Sequence, residues 1–210
     1  MVKIDLKDAY WHIGIHQESR KYLRFRWDQK FYKIGVLAFE VGPGPRIFTK
    51  LLKVPLTVLR RLMIRLVAYL DDFLIMGRTK EEAIQARDSV LYLLQMLGFT
   101  INWEKSVLQP TQEVEFLGMQ TNSVSMSVWL PKEKTQKLLS LSQEVFQTKK
   151  ISLRDLNSLV GKLQATVPAI TLASMQVRAL QQDLISAQQK NMTYEQEVTL
   201  SQEALKDLKW

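Results

Sequence analysis

Leu66-Val67-Ala68-Tyr69-Leu70-Asp71-Asp72-Phe73-Leu74-Ile75-Met76 is the stretch on which the reading of this chain turns. It is apolar almost throughout, yet carries two adjacent carboxylates at its centre. Burying either unpaired would cost on the order of several kcal/mol. Both flanks favour strand, so the economical arrangement is a β-hairpin whose tight turn projects the two aspartates out of the apolar layer. Carboxylates fixed on a rigid turn suit hard cations such as magnesium. An isolated Asp-Asp pair is commonly a surface turn with no ligand. The unbroken apolar flanks argue against that here, because they set the turn against a core.

Working outward, the opening residues alternate strictly, with Val2, Ile4 and Leu6 on one face and Lys3, Asp5 and Lys7 on the other. Period two predicts a strand with Asp5 on its polar face. If that strand pairs with the hairpin, Asp5 meets Asp71 across a long loop. Three carboxylates would then share one site able to hold two metals roughly 3.5–4 Å apart, as in-line phosphoryl transfer uses. Taken alone, Asp5 reads as an ordinary exposed strand residue.

The other segments frame this core. Tyr22 to Lys33 reads as a second hairpin, with Leu23, Phe25 and Trp27 alternating against Arg24 and Arg26. Glu40 to Pro45 is a glycine- and proline-rich loop, followed by a helix carrying Ile47, Phe48, Leu51 and Leu52 that Pro55 is expected to interrupt or end. Thr79-Lys80-Glu81-Glu82 caps another helix, which Gly98 closes. Short strands are expected at Phe99 to Trp103 and Val114 to Met119. Beyond about Trp129 the pattern turns helical: from Pro131 to about Phe146, from Ser152, and across Ile170 to Gln188.

Composition sets the outer limits. Hydrophobic residues make up 46% and charged residues 24% of the 210, a globular balance. No apolar run reaches membrane-spanning length, so no membrane partner is expected. The absence of cysteine excludes disulfides and thiolate zinc sites. Lysine and arginine exceed the acids by 29 to 21, a formal charge of +8 that favours polyanionic partners. A generic solubilising surface has the same signature.

At this point the motifs resemble those of a known family. Lys3-Ile4-Asp5-Leu6-Lys7-Asp8-Ala9-Tyr10 and Tyr69-Leu70-Asp71-Asp72 resemble the first and third palm motifs of reverse transcriptases. Leu37-Ala38-Phe39-Glu40-Val41-Gly42-Pro43-Gly44-Pro45-Arg46-Ile47-Phe48-Thr49-Lys50 resembles the second. Leu97-Gly98-Phe99-Thr100-Ile101-Asn102-Trp103-Glu104-Lys105-Ser106 resembles the fourth, and Glu115-Phe116-Leu117-Gly118-Met119 the hairpin that grips the primer. Lys21 to Phe25, Arg46 to Lys50 and Ser152 to Leu156 look most like the DIRS-type retrotransposons.

The resemblance implies an α/β (α+β) polymerase palm, with an antiparallel sheet and packed helices, over residues 1–125. It also implies a residual fingers hairpin at about 22–33, a helical thumb over 126–190, and a connection toward a ribonuclease H domain over 191–210. The implied activity is RNA-directed DNA synthesis: transfer of dNTPs to a primer 3′ end on an RNA or DNA template, with Mg2+ or Mn2+. Asp5 and Asp71 would ligate metal, and Asp72 would be an auxiliary carboxylate. Leu6, Tyr10, Gly42 and Lys105 would contact the nucleotide, with Tyr10 excluding a 2′-hydroxyl and Lys105 serving the pyrophosphate. Phe116, Leu117, Gly118 and Met119 would cradle the primer. Tyr10, Phe116 and Leu117 also read as plain core residues, and Lys105 as a solvated charge. Lys132, Lys134 and Lys137 face either phosphates or water.

Two departures stand out. Glu40 occupies a position where the family carries glycine, and the fingers that the resemblance places before Met1 are missing, as expected of an excerpt of a parent polyprotein, a truncated gene copy or an incomplete gene model. An inactive relic that binds nucleic acid is the alternative these departures favour. The compartment, nuclear or cytoplasmic, is not written in the sequence.

Overall fold

A computed structural model describes residues 1–39, 41–170 and 172–209. Glu40 therefore lies outside the described residues. The chain forms two compact units, Met1–Leu117 and Gly118–Trp210.

The first unit is an α/β layer built on the alternation of its opening residues. Strand β1 (Val2–Lys7) lies inside an antiparallel sheet. It is followed by an exposed hairpin, β2 (Arg24–Trp27) and β3 (Lys30–Lys33). Asp28 and Gln29 both adopt positive φ in its turn, as a two-residue hairpin connection requires. Helix α1 (Gly44–Arg61) leads to β4 (Arg65–Tyr69) and β5 (Asp72–Met76). Then come α2 (Lys80–Met96), β6 (Thr100–Ile101) and β7 (Glu113–Phe116). The sheet order is β4-β5-β1-β6, so the first strand lies between the hairpin and β6.

One sheet face is apolar, with Val2, Ile4, Leu6, Leu66, Phe73 and Ile75 buried against Phe48, Leu52 and Leu59 of α1 and Ala83, Val90 and Leu94 of α2. The other face carries Lys3, Asp5 and Asp72, with Leu74 packed against Val114 and Phe116.

Helix α1 runs straight through Pro55, against the expectation that it would stop there. The lost hydrogen bond is outweighed by burial: Phe48, Leu52, Pro55 and Leu59 form one buried stripe spanning the proline. Ile47 and Leu51, read from the sequence as part of the apolar face, are instead exposed. The α2 cap forms as its sequence predicts, with Glu82 N–H donating to Thr79 Oγ1 at 3.1 Å. Gly98 follows the helix at φ +87°. Behind α2, Gly77 approaches so closely that a Cβ there would sit 2.5 Å from the Ala83 nitrogen.

The second unit begins with the hairpin β8 (Met119–Asn122) and β9 (Ser127–Trp129) and continues into α3 (Lys132–Thr148). Strand β10 (Lys150–Ser152) pairs with β11 (Glu197–Thr199), and between them run α4 (Leu153–Gln164), α5 (Ala173–Gln176) and α6 (Arg178–Gln189). Helix α7 (Gln202–Lys209) closes the unit. Leu156, Leu159 and Leu180 are fully buried at its centre. The single helix expected over Ile170 to Gln188 is broken at Val177. Asp207 of α7 accepts the Ala179 N–H at 3.0 Å, capping a fresh start that the local sequence does not announce.

Candidate active site

Strands β4 and β5 join through a two-residue turn, Leu70-Asp71, closed by the Tyr69–Asp72 pair. Leu70 adopts φ 52°, a left-handed conformation costing a non-glycine residue about 1–2 kcal/mol. That conformation allows so tight a turn to place Asp71 at its tip. The next strand over completes the arrangement. Asp5 of β1 is the direct cross-strand partner of Asp72, and the Leu6 N–H donates to the Asp71 carbonyl at 2.9 Å. Asp5, Asp71 and Asp72 thus gather at one end of the polar sheet face.

Asp5 is only 8% exposed and is held by its backbone from both sides. Its N–H donates to Ser106 Oγ at 3.0 Å, and its carbonyl accepts the Asn102 N–H at 2.9 Å. The Ser106 hydroxyl in turn donates to the Asn102 carbonyl at 2.6 Å, locking that segment. Burial pushes the Asp5 carboxyl above its ordinary range, and the charges of Asp72 and Asp71 push it further. A hydrogen bond from Asn102 and the charge of Lys105 pull the other way. A site that raises the pKa of its own carboxylate in this manner is short of positive charge.

Lys3 supplies part of that charge. It sits on the same strand face two residues before Asp5, diagonal to Asp72, with Nζ 3.2 Å from Asp72 Oδ1. The Asp72 oxygen is buried and has no hydrogen-bond partner, so the amine neutralises it without satisfying it. The donor set is hard and anionic, and this orphaned oxygen fits a further cation. Among the described residues, no three acidic or imidazole groups stand close enough to form a ready metal cage. Among the described residues Asp5 and Asp71 make no ion pair, whereas Asp72 is paired with Lys3. Lys3, Asn102 and Ser106 were not singled out from the sequence, although period two places Lys3 on the face of Asp5.

Tyr10 is buried between the rings of Phe39 and Phe48, at centroid distances of 5.1 and 5.0 Å. Burial first, then the charge of Asp71, raises its hydroxyl pKa. Tyr10 and Gly42 line one small cavity of about 220 Å³ with Phe39 and Gly44. Leu6 is buried in the core layer beneath, and Lys105 is exposed near Asp5. Phe116 packs against Leu74 and Val114, whereas Leu117 is half exposed at φ 49°. Gly118 and Met119 belong to the second unit, where the Gly118 carbonyl accepts from Lys134 Nζ at 3.0 Å.

The family model for reverse transcriptase (RNA-dependent DNA polymerase) matches residues 1–121, the span that holds all three aspartates. The chain belongs to the reverse transcriptase family. Among curated relatives, the chain is 26% identical over 117 residues to the genome polyprotein of Petunia vein clearing virus (isolate Shepherd), covering 56% of the chain and 5% of that polyprotein. It is 28% identical over 130 residues to Protein P of duck hepatitis B virus (strain China), covering 60% of the chain and 16% of Protein P. The chain therefore spans a small part of the relatives it matches. A solved foamy viral protease–reverse transcriptase, in complex with an RNA/DNA hybrid, shares the fold with TM-score 0.74 and 21% identity. That likeness covers 99% of this chain and 26% of the viral one.

Proposed function

We propose that this reverse transcriptase chain catalyses RNA-directed DNA synthesis at the end of the sheet where Asp5, Asp71 and Asp72 meet. The observation carrying this reading is the β1–β5 register, which sets Asp5 opposite Asp72 with Asp71 at the adjoining tip. In this reading Asp5 and Asp71 hold divalent cations, Mg2+ or Mn2+, and Asp72, neutralised by Lys3, keeps the turn in place. Cations bound there would neutralise triphosphate charge and acidify the primer 3′-hydroxyl for in-line attack. Tyr10 floors the sugar site, its ring fixed by Phe39 and Phe48. Lys105 offsets charge on the departing pyrophosphate. The Phe116–Met119 segment supports the primer terminus. In this reading the natural setting is a polyprotein that works on an RNA or DNA template with a DNA primer and dNTPs, which the basic charge and the polyprotein relatives support. The DIRS-type assignment rests on the resemblance of Lys21 to Phe25, Arg46 to Lys50 and Ser152 to Leu156 alone.

Extension of a DNA primer on an RNA template, with dNTPs and Mg2+ or Mn2+, tests this reading. The chain should extend the primer, and Asp5→Asn should abolish extension without loss of fold. Extension that survives Asp5→Asn would refute the assignment.

A further inference from the structure

The segment that carries Tyr10 leaves β1 through Asp8, which adopts φ 51°, and continues as a short 3-10 turn, Ala9–His12. A left-handed residue other than glycine persists only where its surroundings fix it. Here the Asp8 carbonyl is held by two donors, the Trp11 N–H at 2.9 Å and the ring of His12, whose Nδ1 is 3.1 Å away. The other ring nitrogen of His12 reaches β6, the edge strand of the sheet. Its Nε2 lies 3.3 Å from the Thr100 nitrogen and 3.2 Å from Thr100 Oγ1. The ring also lies 5.4 Å from that of Phe99, which meets Phe48 at 6.2 Å. Phe48 is one of the two rings that enclose Tyr10. Tyr10 is therefore fixed twice: its ring by Phe39 and Phe48, and its backbone turn by His12.

These partners decide the tautomer of the imidazole. A carbonyl only accepts a hydrogen bond, and a backbone N–H only donates one. Nδ1 therefore carries the proton and donates to Asp8, while the Nε2 lone pair accepts from Thr100. The chain has one other histidine, His16, and it makes a useful contrast. It too is exposed, but it starts its own 3-10 turn with no side-chain bond to that turn. An exposed imidazole with both nitrogens bonded across two elements is a bridge, not a solvated surface group.

We propose that His12 is a positioning residue: its imidazole, protonated at Nδ1 alone, pins the Tyr10 turn between the Asp8 carbonyl and edge strand β6. The pinned turn sets how far the Tyr10 ring stands from the Asp5 end of the sheet. A looser turn lets that ring retreat and admits a bulkier sugar, so His12 governs discrimination against a 2′-hydroxyl without touching the nucleotide. The consequence for sugar selection rests on the polymerase reading; the bridge itself does not.

Nitrogen-15 NMR of the 210-residue chain at about pH 8, where an imidazole is neutral, reads the tautomer directly. His12 should show Nδ1–H, whereas a free imidazole in water favours Nε2–H; the histidine signal that remains in His16→Phe assigns it. Amide hydrogen exchange reads the turn. His12→Phe keeps a ring against Phe99 but neither bond, and a net hydrogen bond is a factor of about 2–10 in an equilibrium. The Trp11, Ile13 and Thr100 amides should therefore exchange about tenfold faster in that variant. His12→Gln, whose amide oxygen can accept from the Thr100 N–H, should recover part of the protection, and His16→Phe should keep all of it. In primer extension, the preference for dCTP over CTP in kcat/KM should fall about tenfold in His12→Phe, through KM more than kcat, and partly return in His12→Gln. An Nε2–H tautomer, unchanged exchange in His12→Phe, or an equal rise in His16→Phe would overturn the proposal. The tautomer and exchange signatures without any primer extension uphold the pinned turn and count against the polymerase reading. Extension with unchanged sugar preference in His12→Phe would overturn the link from the turn to sugar selection.

Discussion

Replacing Lys3 with methionine keeps the length of its side chain and removes the cation that, among the described residues, pairs with Asp72. The amine and carboxylate are 3.2 Å apart, with side chains 18% and 24% exposed. At an effective dielectric of about 20, a pair at that distance attracts by roughly 5 kcal/mol before desolvation is counted. Desolvation and side-chain ordering offset much of that. Lys3→Met also leaves Asp72 facing Asp5 with only the exposed Lys105 to offset the pair, so the expected loss is about 2–3 kcal/mol. For a unit of this size that lowers the melting temperature by about 8–12 °C. Asp72→Asn should cost less, about 1 kcal/mol, because the Lys3 amine can reach water. In Lys3→Met/Asp72→Asn the orphaned charge is gone, so most of the loss should be recovered. The cycle should give a coupling of about 1.5 kcal/mol or more. Urea and thermal unfolding of the four proteins, followed by circular dichroism, measure it. Additive effects, or a Lys3→Met loss under about 0.5 kcal/mol, would refute the view that this pair holds the acidic turn together.

Further expectations follow from the same geometry. Folding raises the Asp5 pKa above its ordinary 3.8, so this carboxyl favours the fold at low pH and loses that contribution as pH climbs through the raised value. Asp5→Asn should therefore melt higher than the parent chain at neutral pH, with the gap closing toward about pH 4, in melts run across that range. Mn2+ should raise the melting temperature of the parent chain more than that of Asp5→Asn, a readout of cation binding that needs no turnover. Gly77→Ala drives a methyl to 2.5 Å from the Ala83 nitrogen, and should destabilise by about 1–3 kcal/mol in denaturant unfolding. Tyr10→Ala empties a ring site between Phe39 and Phe48, and should cost about 3–5 kcal/mol by the same assay.

The sheet was legible because its signals are local. Strict alternation at Val2 to Lys7 and apolar residues on both sides of Asp71-Asp72 each specify a strand, and together they specify a shared core. The caps at Thr79 and Ser152 were legible for the same reason, since each side chain bonds a backbone N–H three residues on. What escaped depends on distant partners. Pro55 stays helical because residues on both sides of it are buried against the sheet. The break at Val177 relies on Asp207, 30 positions away. Lys3 is written in the alternation, but its role becomes visible only when register sets Asp5 against Asp72. Asn102 and Ser106 support Asp5 through backbone bonds that no spacing rule predicts.

The most direct test of the proposed chemistry is single-turnover primer extension on an RNA template by the 210-residue chain and its Asp71→Asn variant, each with its melting curve. The placement of Asp71 at the turn tip predicts metal-dependent extension by the parent chain and none by the variant, with both folded. Extension by a folded Asp71→Asn chain at an undiminished rate would contradict the assignment of the site.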